Sequence, residues 1–312
     1  MVITILALLV WGSMSLFGAP TAPATGAAPA QPTAGNGQPA PVASRTLLPT
    51  AVATASVVPP VTASPTVDAQ QPLIGRRIAI DPGHGPREDL GAVSVDPSTG
   101  KLIISEADFT LDVAQRCRDI LVARGAAVVL TRENADTFTS SWPNDANGDG
   151  IEGASGDDLQ TRVDIFNDFH ADVFLSIHAN SIAESKSAED LQIIYCGSSD
   201  CAFPAQNKRL GDLVLGALTN SLTAAGVNVQ GGAVLDDLAV DSSDPPLHMF
   251  ILGPPNPPRH MRSPNMPGVL GETFYVSKPA EVKELLRDDI RQAVALGYAD
   301  ALQQYLLDIT GR

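Results

Sequence analysis

Positive charge is scarce in this chain. Twenty Lys and Arg stand against 35 Asp and Glu, a formal net charge of −15. Phosphate backbones are held by clustered Lys and Arg, so this balance argues against a nucleic-acid partner. Cysteine is scarcer, at three residues in 312, and no pair has zinc-finger spacing. Cys196 and Cys201 flank the turn-forming "GSSD" and are placed to close a small disulfide loop, whereas Cys117 lies inside a helical pattern and reads as a buried small hydrophobe. No folded repeat is visible. What is plentiful is apolar side chain, 44% of the residues, enough for a real core in one large domain or two small ones.

Charge is also missing from the whole N-terminal part. Val2 to Gly18, "VITILALLVWGSMSLFG", is an unbroken apolar run without the polar positions of a soluble helix. It reads as a signal-peptide core or a short membrane anchor, although the usual Lys or Arg before it is absent. Ala22-Pro23-Ala24 offers an A-x-A arrangement, so residues 1–24 are assigned to a leader or anchor and export is expected. Residues 25–72 are rich in Pro, Ala and Thr, with almost no charge or aromatic side chain, and read as a disordered linker.

From Leu73 the composition changes and strand signals alternate with helix signals. "RIAIDPG", "AAVVLTR", "DVFLSIHAN", "LQIIYC" and "GVLGETFYV" read as strands. Ser105 to Gly125 reads as a helix with Ser105 as N-cap and Gly125 as stop, and the chain closes as one long helix or two. This predicts an α/β fold over residues 73–312, a single domain with a mostly parallel twisted sheet covered by helices on both faces. Ser140 to Asp157 and Leu235 to Pro267 break the rhythm as long Gly- or Pro-rich insertions.

Ligands of open parallel sheets bind beyond the carboxyl ends of the strands. His84 follows the first strand, His178 closes the third, Glu106 opens the helix after the first loop, and Glu272 sits within the last apolar strand. Two imidazoles and a carboxylate suit Zn²⁺ with one open position, and a further carboxylate suits a proton acceptor. Each residue has a plainer reading. His84 is in a polar turn, Glu106 suits a helix first turn, and His178 needs only a hydrogen-bond partner. Glu272 is the least ordinary, because a carboxylate in a buried strand is costly unless paired or used. These residues alone point to a metal hydrolase and to no substrate.

Four blocks in order, "IAIDPGHG", "SEADFTLDVAQRCRDILVARGAAVVLTRE", "LQTRVDIFNDFHADVFLSIHAN" and "PGVLGETFYVSKPAE", resemble the zinc-dependent N-acetylmuramoyl-L-alanine amidases, bacterial peptidoglycan hydrolases. The resemblance covers Arg77 to about Leu307. It implies His84, Glu106 and His178 as ligands of one zinc ion, Glu272 as catalytic base, and hydrolysis of the amide between N-acetylmuramic acid and L-alanine in the cell envelope. Asn180 and Arg162 resemble family positions too, the first to orient groups near the metal and the second to brace structure, and both stay outside the catalytic set. The chain departs from the pattern at Pro86, at Lys278 and in its long Pro-rich insertion. No wall-binding repeat accompanies the domain. A silent wall-binding module of the same fold, or another zinc peptidase or deacetylase, stands as the alternative.

Two further features are read from the residues. "DANGDG" sets Asp145, Asn147 and Asp149 like the start of a Ca²⁺ loop, but the twelfth position is Gly156, and an acidic turn is the favoured reading. The insertion at 235–267 carries His248, Met249, Phe250, Arg259, His260 and Arg262, as a lid or groove wall near the site or as a solvated excursion packed by its own apolar residues.

Overall fold

The computed structural model describes residues 71–85, 89–135, 145–152, 155–181, 190–257 and 261–311. The expected leader, the linker as far as residue 70, and Pro86, Arg259 and His260 lie outside these residues.

Strand β1 (Arg77–Pro82) carries Ile78, Ala79 and Ile80 fully buried, the unbroken apolar run of a strand covered on both faces. It lies between β4 (Ala127–Leu130) and β5 (Val173–Asn180), parallel to both. Strand β8 (Gly268–Tyr275) pairs parallel with β5 on the other side. Beyond it β6 (Leu191–Tyr195) runs antiparallel to β8, and β7 (Gly232–Asp236) pairs parallel with β6. The sheet order is thus β4-β1-β5-β8-β6-β7. The mostly parallel sheet is present, but its last two strands point the other way. The carboxyl ends of β1, β5 and β8 share one edge, while those of β6 and β7 lie at the opposite edge.

Helix α1 (Glu106–Ala123) starts where Ser105 Oγ accepts from the Asp108 amide, and the chain leaves it through Gly125 at φ +94°. With α3 (Pro204–Ala224), α5 (Pro279–Leu285) and α6 (Asp288–Asp308) it packs one face of the sheet, around Phe109, Leu175, Leu218, Tyr298 and Leu302. Each such fully buried side chain contributes roughly 1.5–3 kcal/mol. Helix α2 (Ser155–Asp168) packs the other face through Val163 and Phe166, whose ring stacks on Phe174 at 4.7 Å.

The rest of that second face is covered by the Pro-rich insertion, which includes the short α4 (Asp237–Val240). Val240, Ile251, Leu252 and Met266 are buried against the sheet, and Arg262 Nε and Nη2 reach Asp164 on α2 at 2.6 Å. The described part of this segment is therefore not a self-packed excursion, because it covers a sheet face that one helix leaves half bare. A disulfide joins Cys196 and Cys201 in the turn between β6 and α3. The hairpin of β2 (Val93–Val95) and β3 (Leu102–Ser105) was not expected from the sequence; its turn is held by Asp96 Oδ1, which accepts from the Ser98 and Thr99 amides.

Candidate active site

The site is built first from backbone. After β1 the chain turns through Asp81-Pro82-Gly83-His84-Gly85, with His84 at φ +58°. A residue with a Cβ costs about 1–2 kcal/mol in this left-handed region, and two buried guanidinium groups offset the cost. Arg132 donates to Pro82 O at 2.9 Å and Gly83 O at 3.0 Å. Arg162 donates to Pro82 O at 2.9 Å, His84 O at 2.7 Å and Gly85 O at 2.9 Å. Four consecutive carbonyls are thereby tied to two cations. Arg162 is itself paired with buried Asp81 at 2.8 Å and with Asp158 at 2.9 Å. Burial works against the Asp81 charge, but Arg162, with hydroxyl bonds from Ser176 and Thr131, outweighs it and holds the carboxyl below its ordinary value. Arg162 thus braces the turn, in keeping with the bracing role expected of it from the sequence.

On this frame three side chains meet. Glu106, the first residue of α1, lies between two imidazoles, with Oε2 3.1 Å from His84 Nε2 and Oε1 2.9 Å from His178 Nδ1. The amides of Ala92 and Ala179 donate to the same two oxygens at 2.9 and 3.1 Å. Burial opposes the Glu106 charge; the hydrogen bonds and charge of His178 and His84 overcome it, so its pKa is lowered. Burial likewise lowers His84, but Asp89 and Glu106 reverse the effect and raise it to about 10. Two glycines make room. A Cβ on Gly83 would lie 2.4 Å from the His178 ring, and one on Gly91 would lie 2.6 Å from both Glu106 Oε2 and the His84 ring.

Glu272 stands beside this cluster, because it is the register partner of His178 across β5 and β8. Immediately after it the register slips, and Phe274 takes φ +65°. Such bulges re-aim side chains next to active sites. Glu272 Oε2 is buried without a hydrogen-bond partner. Burial, with the negative charge of Glu106, raises its pKa to about 7 against the pull of His178. A carboxyl group poised there exchanges a proton near neutral pH.

Thus the four residues named from the sequence, His84, Glu106, His178 and Glu272, come together at the carboxyl edge. The donor atoms of the first three lie within 4.8 Å of one another. Two nitrogens and a carboxylate oxygen around one point, beside a buried unpaired oxygen, fit a zinc ion with a free position. Asn180 lies one step away and donates to Gln192 Oε1 at 3.1 Å, while Gln192 donates to Tyr275 Oη at 3.0 Å. The sequence reading missed Asp89, whose Oδ1 holds His84 Nδ1 at 2.9 Å, and Arg132, whose only signal was a charge at the end of an apolar strand. Around Asp145 to Gly150 the polar groups bond within the loop: Asp145 accepts from the Gly150 amide at 3.2 Å, and Asn147 donates to Asp149 at 2.9 Å. The acidic turn accounts for them.

An α/β sheet with imidazoles and carboxylates gathered at its carboxyl edge defines a hydrolase-type site. Residues 78–304 match the family model described as N-acetylmuramoyl-L-alanine amidase. The chain is 30% identical over 240 residues to the germination-specific N-acetylmuramoyl-L-alanine amidase of Bacillus subtilis, covering 76% of this chain and 82% of that protein. It is also 30% identical over 244 residues to AmiC of Neisseria meningitidis, covering 74% of this chain and spanning about half, 53%, of that protein. Among solved structures, the catalytic domain of CwlV from Bacillus (Paenibacillus) polymyxa aligns with a TM-score of 0.50 at 27% identity, over 74% of this chain and 98% of that one. The chain belongs to the N-acetylmuramoyl-L-alanine amidase family and is an enzyme of peptidoglycan hydrolysis.

Proposed function

We propose that this chain uses one zinc ion to hydrolyse the amide joining the lactyl group of N-acetylmuramic acid to the L-alanine of the stem peptide, in cell-wall remodelling or daughter-cell separation. His84 Nε2, a Glu106 oxygen and His178 Nδ1 are the ligand atoms, since these are the atoms that face one another. When bound, zinc supplies Lewis-acid charge at the scissile carbonyl and lowers the pKa of water towards about 7. The protein's own groups do the rest. Asp89 orients the His84 ring from its far nitrogen, as carboxylates commonly do for ligating imidazoles. Glu272 accepts the proton of the attacking water and returns it to the departing alanine nitrogen. The observation that carries this reading is the unpaired, buried Glu272 oxygen beside the converged His84, Glu106 and His178.

In the proposed organisation residues 1–24 are a leader or anchor, 25–72 a linker, and 73–312 the catalytic domain, which acts in the cell envelope after export. Among the described residues no helix is long and apolar enough to cross a membrane. The test is to incubate the zinc-loaded full chain with purified peptidoglycan and identify the soluble products by mass spectrometry. Free stem peptides with an intact N-terminal alanine, lost on chelation, are expected. Zinc bound without cleavage would favour the silent module, and cuts inside the stem peptide would favour a peptidase.

A further inference from the structure

The reversal of β6 and β7 gives the sheet a second carboxyl edge, away from His84 and Glu272, and that edge also gathers ligand-type side chains. Cys196 follows β6 and Asp237 follows β7, whose last residues, Tyr195 and Asp236, are register partners. His248, from the segment covering the second face, reaches over both. Its Nδ1 lies 3.6 Å from Cys196 Sγ and 3.0 Å from Asp237 Oδ2. Cys196, Cys201 and His248 have their ligand atoms within 4.8 Å of one another. The cluster is well packed, with Asp237 and Cys196 0% and 1% exposed and Cys201 8%.

The geometry points to a second metal site here, gated by the disulfide: closed while Cys196 and Cys201 are bonded, and a holder of one zinc-class divalent cation once they are reduced. Two thiolates and an imidazole are zinc-type donors, and the Asp237 carboxylate stands 3.0 Å from the same imidazole nitrogen. The spacing fits. Zinc–sulfur and zinc–nitrogen bonds of about 2.3 and 2.0–2.1 Å at a tetrahedral angle put sulfur and nitrogen about 3.6 Å apart, the separation seen between Cys196 and His248. The other ring nitrogen is already held, with His248 Nε2 3.3 Å from both Ser198 Oγ and Asp200 Oδ2. Ligating imidazoles are fixed in this way by an outer carboxylate.

The conversion balances. A dithiol passes two electrons and two protons to the disulfide, becomes a disulfide itself, and leaves two thiols on the protein. The cation then displaces both thiol protons, so its affinity rises with pH. In the oxidised state the sulfur–sulfur bond closes the turn after β6 on itself, whereas in the reduced state the cation would join that turn to the covering segment through His248.

Cobalt tests this directly. The full chain is reduced with a dithiol, the reductant is removed without air, and Co²⁺ is titrated in. Thiolate-to-cobalt absorption, which imidazole and carboxylate ligands do not produce, reports this edge and not the His84 cluster. The band is expected in the reduced chain, not in the oxidised chain, not in Cys201→Ser, and undiminished in His178→Ala and Cys117→Ala. In His248→Ala the affinity should fall by about tenfold or more. A reduced chain whose two thiols react freely but which gives no band at excess Co²⁺ would overturn the assignment. So would a band of unchanged affinity in His248→Ala. If a variant does not fold, the oxidised and reduced wild-type chains decide the matter between them.

Discussion

Replacing Glu272 by Gln removes a proton acceptor and keeps the side chain's size and its place beside His178. General bases contribute about 10²–10⁴ in rate, or roughly 3–5.5 kcal/mol of barrier. Release of stem peptides from peptidoglycan should fall by that factor while bound zinc stays at one equivalent, because Glu272 is outside the proposed set of three ligands. Stability gives an independent reading in the metal-free chain. Burial and the charge of Glu106 raise the Glu272 carboxyl from its ordinary 4.5 to about 7. The folded state therefore keeps a proton that the unfolded state has released. This contribution is whole below pH 4.5 and is lost as pH rises through 7. At 1.36 kcal/mol per pH unit, the ionised carboxylate costs about 3 kcal/mol above pH 7. Urea unfolding of the chelated proteins should show E272Q gaining up to about 3 kcal/mol on wild type between pH 4.5 and pH 8. With zinc bound, its charge pulls the carboxyl down, so the acid limb of kcat/KM should lie below pH 7. Turnover within tenfold of wild type, or loss of zinc from E272Q, would refute the role given to this residue.

Three further outcomes are expected. His84→Ala and His178→Ala should each lose both zinc, by elemental analysis, and turnover; a full equivalent of zinc in either variant would remove that residue from the ligand set. Gly83→Ala places a methyl 2.4 Å from the His178 ring, so zinc affinity and turnover should fall while the fold persists; unchanged affinity would show that the ring yields freely. Arg162→Met strips the partner from buried Asp81 and should cost about 3–5 kcal/mol in urea unfolding, whereas a loss under about 1 kcal/mol would show that Arg132 suffices to hold the turn.

The parts of the fold that were legible are those where one period dominates. Continuous or nearly continuous apolar runs such as Ile78–Ile80 and Val173–Ile177 mark strands buried on both faces, and the Ser105 cap with Gly125 brackets α1 at both ends. The β2–β3 hairpin escaped notice for the opposite reason. Its strands are three and four residues long and leave Val93, Val95, Leu102 and Ile103 exposed, so no buried face imposes alternation. The reversal of β6 and β7 was also illegible. Strand direction is set by how the connections cross, and the residues between β5 and β6 carry no pattern that distinguishes a return from a crossover.

The site shows the same division between chemistry and support. His84, Glu106, His178 and Glu272 could be singled out because each puts a polar group where the local pattern is apolar or tightly turned. What holds them is spread over the chain in residues that look ordinary one at a time. Asp89 is a loop carboxylate, Thr110 a helical hydroxyl, and Arg132 a charge after a strand, yet Asp89 fixes a ring and the other two bond Gly83 O. Their role is positional, and position is supplied only by the fold. The left-handed turn at His84 makes the dependence concrete. With its carbonyl released, nothing printed by the local sequence would keep a histidine at φ +58°. The ring would then swing away from Glu106, and the cluster would fail with all four of its chemical groups still present. Arg162, 78 residues away in sequence, is therefore as necessary to the site's geometry as the histidine that it holds.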